Sequence, residues 1–235
     1  GIVLVIGVTF SVWFRQADRH RLQTQCAQNV VRIGTGLAGF ADRNDGYMPA
    51  ATAPRQRWLP AANEPAVSNS SALFQLVKDR SVDPPSFQCP AVGGDSFAVE
   101  PGMTDFPAGK YVNYSFQHSL GPKGLWREDP RLNGVTSSMA ILADSSPVFC
   151  NGQFRSECVG RPAGDNHGGA GQTVLYLDGH EDFKTKASVG VGGNNIYLVD
   201  GVNDYKGTER PASPTDSFLL PAWSPKTTTS NNGSK

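Results

Sequence analysis

The sequence predicts an α+β protein in which a long N-terminal helix packs on a small antiparallel sheet domain. Three observations support this fold class. No proline precedes Pro49, and apolar residues recur at helical spacing as far as Phe40. Several later segments are rich in β-branched and aromatic residues, which is typical of strands. Asp178 and Gly179 lie between two of those segments, and an Asp-Gly pair is a strong hairpin signal.

The N-terminal helix is expected to cover residues 1–42 and to have two different parts. Residues 1–14 carry no charged side chain, whereas residues 15–42 are amphipathic. The apolar stripe of the second part consists of Leu22, Cys26, Val30, Ile33, Leu37 and Phe40. Because spacings of three and four keep these side chains on one helix face, we expect residues 15–42 to pack on the sheet. Turn-forming residues at 42–46 would end the helix.

The apolar first part has three possible explanations. A signal peptide would begin with Met and basic residues, which are absent from the start of this sequence. As a membrane span, fourteen residues cover only about 21 Å of a hydrocarbon core of about 30 Å, although they could end a longer segment. The favoured explanation is a stalk that packs among copies of itself. The residues expected to form that contact are Ile2, Val3, Leu4, Val5, Ile6, Val8, Phe10, Val12, Trp13 and Phe14.

Composition indicates a globular remainder without a nucleic-acid partner. The 235 residues are 38% hydrophobic, which is enough for one core, and 21 basic residues balance 21 acidic ones. No phosphate-binding loop and no nucleophile elbow occur, so we expect no enzymatic activity. We expect the globular domain over residues 43–210 and an extended tail rich in Ser, Thr and Pro over residues 211–235.

The elements of the globular domain follow from local patterns. A helix is expected over residues 72–80, capped by Ser70 or Ser71, and irregular structure is expected around the prolines near residue 84. The expected strands cover residues 110–118, 138–144, 172–177, 181–184 and 195–199.

Four cysteines, Cys26, Cys89, Cys150 and Cys158, allow three disulfide pairings. The short polar loop between Cys150 and Cys158 closes easily, so this pair is expected to form a disulfide. Cys26 is then expected to pair with Cys89, because Cys26 lies on the inward stripe of the helix and Cys89 lies in a proline-bounded loop that can cross it. Zinc binding by these cysteines is disfavoured, since no Cys-X-X-Cys pair occurs.

Three separated segments resemble one family. They are residues 26–34 leading to Tyr47-Met48-Pro49, residues 87–90, and residues 140–144 followed by residues 166–180. In this order they are similar to pilin-like proteins of the type II secretion and type IV pilus superfamily. The closest resemblance is to the bacterial branch with a C-terminal motif of His, nine residues, Asp and Gly. The motif residues here are Asn166, His167, Asp178 and Gly179.

Two features depart from the pattern of that family. Ten residues separate His167 from Asp178, so a small bulge or a longer loop is expected before the strand. The mature chain of the family begins with Phe and has Glu at its fifth position. Neither residue precedes the apolar run here, so we expect either that the chain is a truncated form of the family pattern or that this protein dispenses with that glutamate.

The resemblance implies a structural subunit of a helical extracellular filament similar to a type IV pilus. Copies of the chain would be its partners, packed through their N-terminal helices. The chain would lie in the cell envelope, anchored in the inner membrane before assembly. A minor pseudopilin of a periplasmic type II secretion pseudopilus is one alternative. A membrane-tethered adhesion or carbohydrate-binding domain is another.

No cofactor is expected, although the sequence contains candidate ligands for calcium and for zinc. Pseudopilins that resemble this chain can hold calcium in a C-terminal loop, and the weak candidate ligands here are Asn194, Asn195, Asp200, Asn203 and Asp204. Turn formation explains the same residues, and EF-hand spacing is absent. Weaker zinc candidates are His167, Asp178 and His180, if one end of a hairpin brings them together. A structural role is favoured for these three, because a tight turn accommodates Asp178 well.

Overall fold

The computed structural model describes residues 2–51, 57–59, 66–95, 97–119, 122–150, 152–159, 161 and 166–222, with side chains from Trp13 onward except that of Phe14. The α-helices are α1 (Ile2–Asp42) and α2 (Ser70–Lys78). The strands are β1 (Tyr114–Gln117), β2 (Ala140–Asp144), β3 (Phe149–Cys150), β4 (Gln153–Phe154), β5 (Gln172–Tyr176), β6 (Glu181–Lys184) and β7 (Leu219–Pro221). Short 3-10 helices cover Pro84–Phe87, Gly109–Tyr111, Pro130–Leu132, Ser156–Cys158 and Val191–Gly193.

Five strands form one antiparallel sheet in the order β6-β5-β2-β1-β7, and β3 pairs with β4 in a separate hairpin. Alternate residues of the central strands face two different hydrophobic clusters. Leu142 and Leu175 belong to the cluster on the side of α1 and α2, while Ala143 and Val174 belong to the cluster on the opposite side. The centre of the sheet is therefore buried on both faces, which explains the nearly continuous apolar sequence of β2.

The second half of α1 packs on the sheet through one stripe. Cys26, Val30, Ile33 and Leu37 have no exposed surface. A Cβ atom on Gly34 would lie 3.0 Å from a methyl group of Leu175, so the helix approaches β5 closely. Residues 15–21, in contrast, are all exposed. Contact between α1 and the domain thus begins near Leu22, which is half-buried.

The predicted packing of a long helical stalk on a small antiparallel sheet is wrong. The structure has one long helix, a small second helix and a five-stranded antiparallel sheet, so the α+β content is present. Among the described side chains of α1, only those from Leu22 onward are buried or half-buried against the domain. The segment 15–21, which was expected to pack, carries Arg15, Asp18, Arg19 and Arg21, whose charges disfavour burial. Much of the core is formed instead by α2 and by loops on both sides of the sheet.

Two further boundaries differ from the prediction. The tail predicted from residue 211 begins too early, because β7 lies within it and pairs with β1, and Phe218 and Leu219 have no exposed surface. Residues 195–199 form turns instead of a strand, since the Oδ1 atom of Asn195 accepts a hydrogen bond from the backbone of Tyr197 and bends the chain. The predicted strand 181–184 is confirmed as β6.

Of the ten residues expected to form contacts between copies, only Trp13 has a described side chain. Trp13 is 64% exposed. The other side chains named for this contact lie outside the described residues, namely those of Ile2, Val3, Leu4, Val5, Ile6, Val8, Phe10, Val12 and Phe14. A search of the described residues finds no helix with both the length and the apolar character needed to cross a membrane.

Candidate metal centre

Four side chains from separate segments meet at the point where α1 leaves the domain. Cys26 comes from α1, Cys89 from the loop after the 3-10 helix Pro84–Phe87, Asp144 from the end of β2, and His167 from the loop before β5. Their potential ligand atoms all lie within 4.8 Å of one another. Among the residues that the structure describes, this is the one group of three or more His, Cys, Asp or Glu side chains so arranged.

The distances between these atoms are short. The Sγ atom of Cys26 lies 3.3 Å from Oδ1 of Asp144. Nε2 of His167 lies 3.3 Å from Oδ2 of the same carboxylate and 3.8 Å from Sγ of Cys89. The hydroxyl of Tyr114 lies 3.4 Å from Sγ of Cys26. Each of the four members therefore contacts at least one other member directly.

Asp144 is held by hydrogen bonds from outside the group. Nδ2 of Asn166 donates to Oδ1 at 2.8 Å, and the backbone N–H of Thr173 donates to Oδ2 at 2.9 Å. The backbone carbonyl of Asp144 accepts a bond from the hydroxyl of Tyr197 at 2.8 Å. Because the residue has no exposed surface, these bonds fix the orientation of its carboxylate.

Cys89 is positioned by its surroundings in the loop. Its backbone N–H donates to Oδ1 of Asn113 at 3.0 Å, and the backbone N–H of Asn113 donates to the carbonyl of Phe87 at 2.9 Å. Nδ2 of Asn29 on α1 donates to the carbonyl of Gln88 at 2.9 Å. The loop is thus tied both to the start of β1 and to the helix that carries Cys26.

The electrostatics of the group follow from burial and proximity. Burial raises the pKa of Asp144 to about 7, and the nearby Cys89 adds to this increase. The hydrogen bond with Cys26 lowers the pKa of the Cys89 thiol to about 5, with a further contribution from His167. The pKa of Cys26 is raised strongly by the same hydrogen bond and by burial. Cys89 is therefore the thiol that ionises first.

His167 responds to two opposing effects. Burial lowers its pKa, but the hydrogen bond with Cys89 and the charge of Asp144 outweigh burial, so the pKa is raised. Its side chain is 5% exposed. One thiolate, one thiol, a carboxylate and an imidazole in contact can bind a metal ion, and the two sulfur atoms can also oxidise to a disulfide.

The structure does not bring together the predicted zinc ligands His167, Asp178 and His180. The whole of β5 lies between His167 and the other two, and the five residues of this strand alone span about 16 Å. Asp178 and His180 do meet, with Oδ1 and Nδ1 2.5 Å apart, in the exposed turn between β5 and β6. The three candidates therefore do not form one cluster among the described residues, and His167 lies instead with Cys26, Cys89 and Asp144.

The predicted hairpin turn is confirmed at Asp178-Gly179. Gly179 has a φ of +92°, and its N–H donates to the carbonyl of Tyr176 at 2.9 Å. The other two motif residues lie in the candidate metal centre, where Asn166 donates to Asp144 and His167 is one of the four grouped side chains. The longer spacing between His167 and Asp178 is taken up by a turn in which Gly168 and Gly169 have positive φ.

The calcium candidates lie in the loops before β7. Nδ2 of Asn194 donates to Asp216 at 2.9 Å, and Asn195 caps the turn at Tyr197. The remaining three candidates, Asp200, Asn203 and Asp204, are exposed. These contacts agree with a turn-forming role for the asparagines, and calcium binding stays a prediction.

All four cysteines are thiols in the structure. Cys26 and Cys89 lie in the centre, whereas Cys150 ends β3 and Cys158 lies in the 3-10 helix Ser156–Cys158. Both predicted disulfides stay predictions.

The sequence predicted that Cys26 and Cys89 are close, but it gave no role to Asp144. The one signal for Asp144 was a charged residue at the end of an otherwise apolar strand.

A cavity of about 150 Å³ lies beside the centre. Arg19 and Leu22 of α1 line one side of it, and Asn166 and His167 line the other. It connects the buried imidazole with the exposed part of α1.

Comparisons with family models, with curated proteins and with solved structures found no match for this chain.

Proposed function

We propose that the chain is a structural subunit of a helical extracellular filament, assembled by packing of N-terminal helices. The observation that supports this proposal is the continuation of α1 beyond its last contact with the domain. The helix runs from Ile2, yet Trp13 is 64% exposed and residues 15–21 are all exposed. At 1.5 Å per residue, the part before Leu22 is about 30 Å long.

An isolated helical segment of this length is marginally stable in water, because most helical stability in proteins comes from packing. Residues 1–14 are uncharged and mostly apolar, so exposing their apolar surface to water costs free energy of about 25 cal/mol per Å². Burial among the helices of neighbouring copies removes that cost. Head-to-tail contacts that do not close into a ring then produce a helical filament.

The charged segment that follows suits contacts between copies. Arg15, Arg19 and Arg21 lie within two helical turns of Asp18. Within one chain, Arg21 pairs with Asp18 at 2.7 Å, and both side chains remain more than half exposed. In a filament these groups can pair between neighbours and set the register of the helices. In this proposal the globular domain lies on the outside of the filament, and the chain belongs to the cell envelope. The chain has no enzymatic activity in this proposal.

The test follows assembly of the purified chain after removal of detergent, by negative-stain electron microscopy and sedimentation. We expect long uniform fibres from the wild-type chain. Val5→Asp and Ile6→Asp should abolish them while far-UV circular dichroism of the domain stays unchanged, because an unpaired buried charge costs several kcal/mol. Val99→Asp is the matched control, since Val99 is 47% exposed in the domain, and this variant should still assemble.

Other outcomes would redirect the proposal. Fibres of normal length from Val5→Asp would show that the apolar segment is not buried between copies. Short stubs of limited length would favour the minor pseudopilin, which caps or initiates an assembly made mostly of other subunits. Dispersed single chains that bind lipid vesicles would favour a tethered adhesion or carbohydrate-binding domain.

A further inference from the structure

We infer that Cys26, Cys89, Asp144 and His167 bind one zinc ion that ties α1 to the domain. The donor set is the first argument. Two cysteine sulfurs, one imidazole nitrogen and one carboxylate oxygen are the three ligand types that zinc takes in proteins, and four of them complete a closed tetrahedral site. Thiolate ligands exclude calcium and magnesium, which prefer oxygen.

The spacing of the donor atoms is the second argument. Zinc bonds of about 2.3 Å to sulfur and about 2.0 Å to nitrogen or oxygen give tetrahedral edges of about 3.5 Å from sulfur to nitrogen or oxygen, and about 3.3 Å from nitrogen to oxygen. Sγ of Cys89 lies 3.8 Å from Nε2 of His167. Sγ of Cys26 lies 3.3 Å from Oδ1 of Asp144, and Nε2 of His167 lies 3.3 Å from Oδ2 of the same carboxylate, of which one oxygen would bind the zinc. With one ligand atom taken from each residue, the four atoms lie within 4.8 Å of one another. Small side-chain rotations would bring these atoms to the tetrahedral edges.

The surroundings are the third argument. Metal-binding carboxylates are themselves held by hydrogen bonds in zinc sites. Asp144 receives such bonds from Asn166 and from the backbone of Thr173, and the Tyr114 hydroxyl lies beside the sulfur of Cys26. The cavity next to His167 supplies an entry path.

Charge and proton balance are consistent with this site. On binding, Cys26 releases its thiol proton to solvent and Cys89 binds as the thiolate, while Asp144 binds as the carboxylate and His167 through its neutral Nε2, each giving any bound proton to solvent. Two thiolates and one carboxylate against Zn²⁺ leave one net negative charge. Arg19 lines the cavity beside His167 and can offset that charge.

A zinc centre and a disulfide between Cys26 and Cys89 exclude each other. The disulfide explains why the two sulfurs are close, but it gives no role to His167 and Asp144, which contact those sulfurs and each other. Zinc accounts for all four groups. It also joins α1 to three other segments at Cys26, the first fully buried residue among the described side chains of the helix. The inference does not depend on the proposed assembly.

The test begins with the reduced full chain, loaded with zinc alone and passed through gel filtration. We expect one zinc per chain by elemental analysis. Cobalt in place of zinc should give the visible bands of a tetrahedral ion together with thiolate-to-cobalt charge transfer. Bound zinc should slow alkylation of Cys26 and Cys89, and a chelator should restore the rate.

Variants separate the centre from the rest of the chain. Cys89→Ser and His167→Ala should lose stoichiometric zinc. Cys158→Ser and His180→Ala are the matched controls, because these residues lie outside the centre, and both should retain one zinc. If the ligand variants fail to fold, Asn166→Ala keeps all four ligands and should bind zinc 10- to 100-fold more weakly.

Three results would overturn the inference. The first is reduced wild-type protein that folds but takes up no zinc. The second is peptide mapping of unreduced protein that finds Cys26 joined to Cys89, with no zinc uptake after reduction. The third is loss of zinc in Cys158→Ser with retention in Cys89→Ser, which would place the metal elsewhere.

Discussion

Near each end of β5 a histidine and an aspartate lie in contact, and the two pairs differ in almost every other respect. At the start of the strand, His167 and Asp144 lie 3.3 Å apart with side chains 5% and 0% exposed. Beyond its end, His180 and Asp178 lie 2.5 Å apart with side chains 46% and 34% exposed. The same two residue types therefore occupy a buried centre and a solvent-exposed turn.

The difference shows that the environment of the carboxylate determines the role of such a pair. Asp144 is contacted by residues from three segments, namely α1, the loop before β5 and β5 itself, so its charge links parts of the chain that are distant in sequence. Asp178 accepts hydrogen bonds from the backbone and the ring of His180, two residues away. The first pair organises tertiary structure, whereas the second stabilises one local turn.

The largest difference between the two pairs is expected when each carboxylate is removed and the loss of unfolding free energy is compared. Asp144→Ala should lower the free energy of unfolding by about 3 to 5 kcal/mol, because buried donors on Asn166 and Thr173 lose their acceptor. Asp178→Ala should cost less than about 1 kcal/mol, since an exposed ion pair contributes little. Urea unfolding of the reduced, zinc-free variants measures both values. Equal costs would contradict the comparison.

The glycines that flank β5 should also differ, for opposite reasons. Gly171 lies before the strand, and a Cβ atom there would meet a ring carbon of Phe183 at 2.3 Å and the carbonyl oxygen of Lys184 at 2.9 Å. Gly171→Ala should therefore cost about 1 to 3 kcal/mol through overpacking. Adding Phe183→Leu should recover part of the loss. If the double variant showed simple additivity, contact with the ring would not be the cause.

A third histidine tests what burial does without a carboxylate nearby. His118 contacts Oδ1 of Asn69 at 3.0 Å and the guanidinium of Arg210 at 3.1 Å. Burial lowers the pKa of His118 to about 3, and the charge of Arg210 acts in the same direction. In the unfolded chain the pKa is about 6.5, so the unfolded state binds more protons between pH 6.5 and pH 3. Stability should therefore fall as the pH falls through this range.

The expected slope from His118 is at most about 1.4 kcal/mol per pH unit. Unfolding free energies of the wild type and of His118→Gln, measured from pH 7 to pH 4, give the difference in slope. The variant should lose less stability on acidification. If the unfolding free energies of the two proteins changed with pH in parallel, the pKa of His118 would not be lowered by burial.

The sequence predicted the features that depend on local patterns. The inward stripe through Cys26, the strand β6 and the hairpin turn at Gly179 each follow from spacing or turn chemistry within a few residues. It did not predict β7, because the apolar run at Phe218 is only a few residues long and lies in a segment rich in Ser, Thr and Pro. That run is a strand because it pairs with β1, which is distant in sequence.

The candidate centre was predicted only in part for the same reason. Cys26 and Cys89 were expected to be close, and His167 was noted for its motif. Asp144 joins them through the pairing of β1 with β2, which places it opposite Tyr114. No spacing along the chain encodes that register. A site built from four segments becomes visible only when the tertiary fold is known.

The smallest effect is expected at the exposed end of β5. Gly179 has a φ of +92°, and a Cβ atom there would meet nothing within 4 Å. Any cost of substitution is therefore conformational and not steric, unlike that at Gly171. Gly179→Val should lower the free energy of unfolding by about 1 kcal/mol, because a β-branched residue resists positive φ. Gly179→Asn should cost less, since asparagine tolerates this region. Thermal and urea unfolding measure both, and equal costs for the two variants would mean that the turn strain is not what distinguishes glycine here.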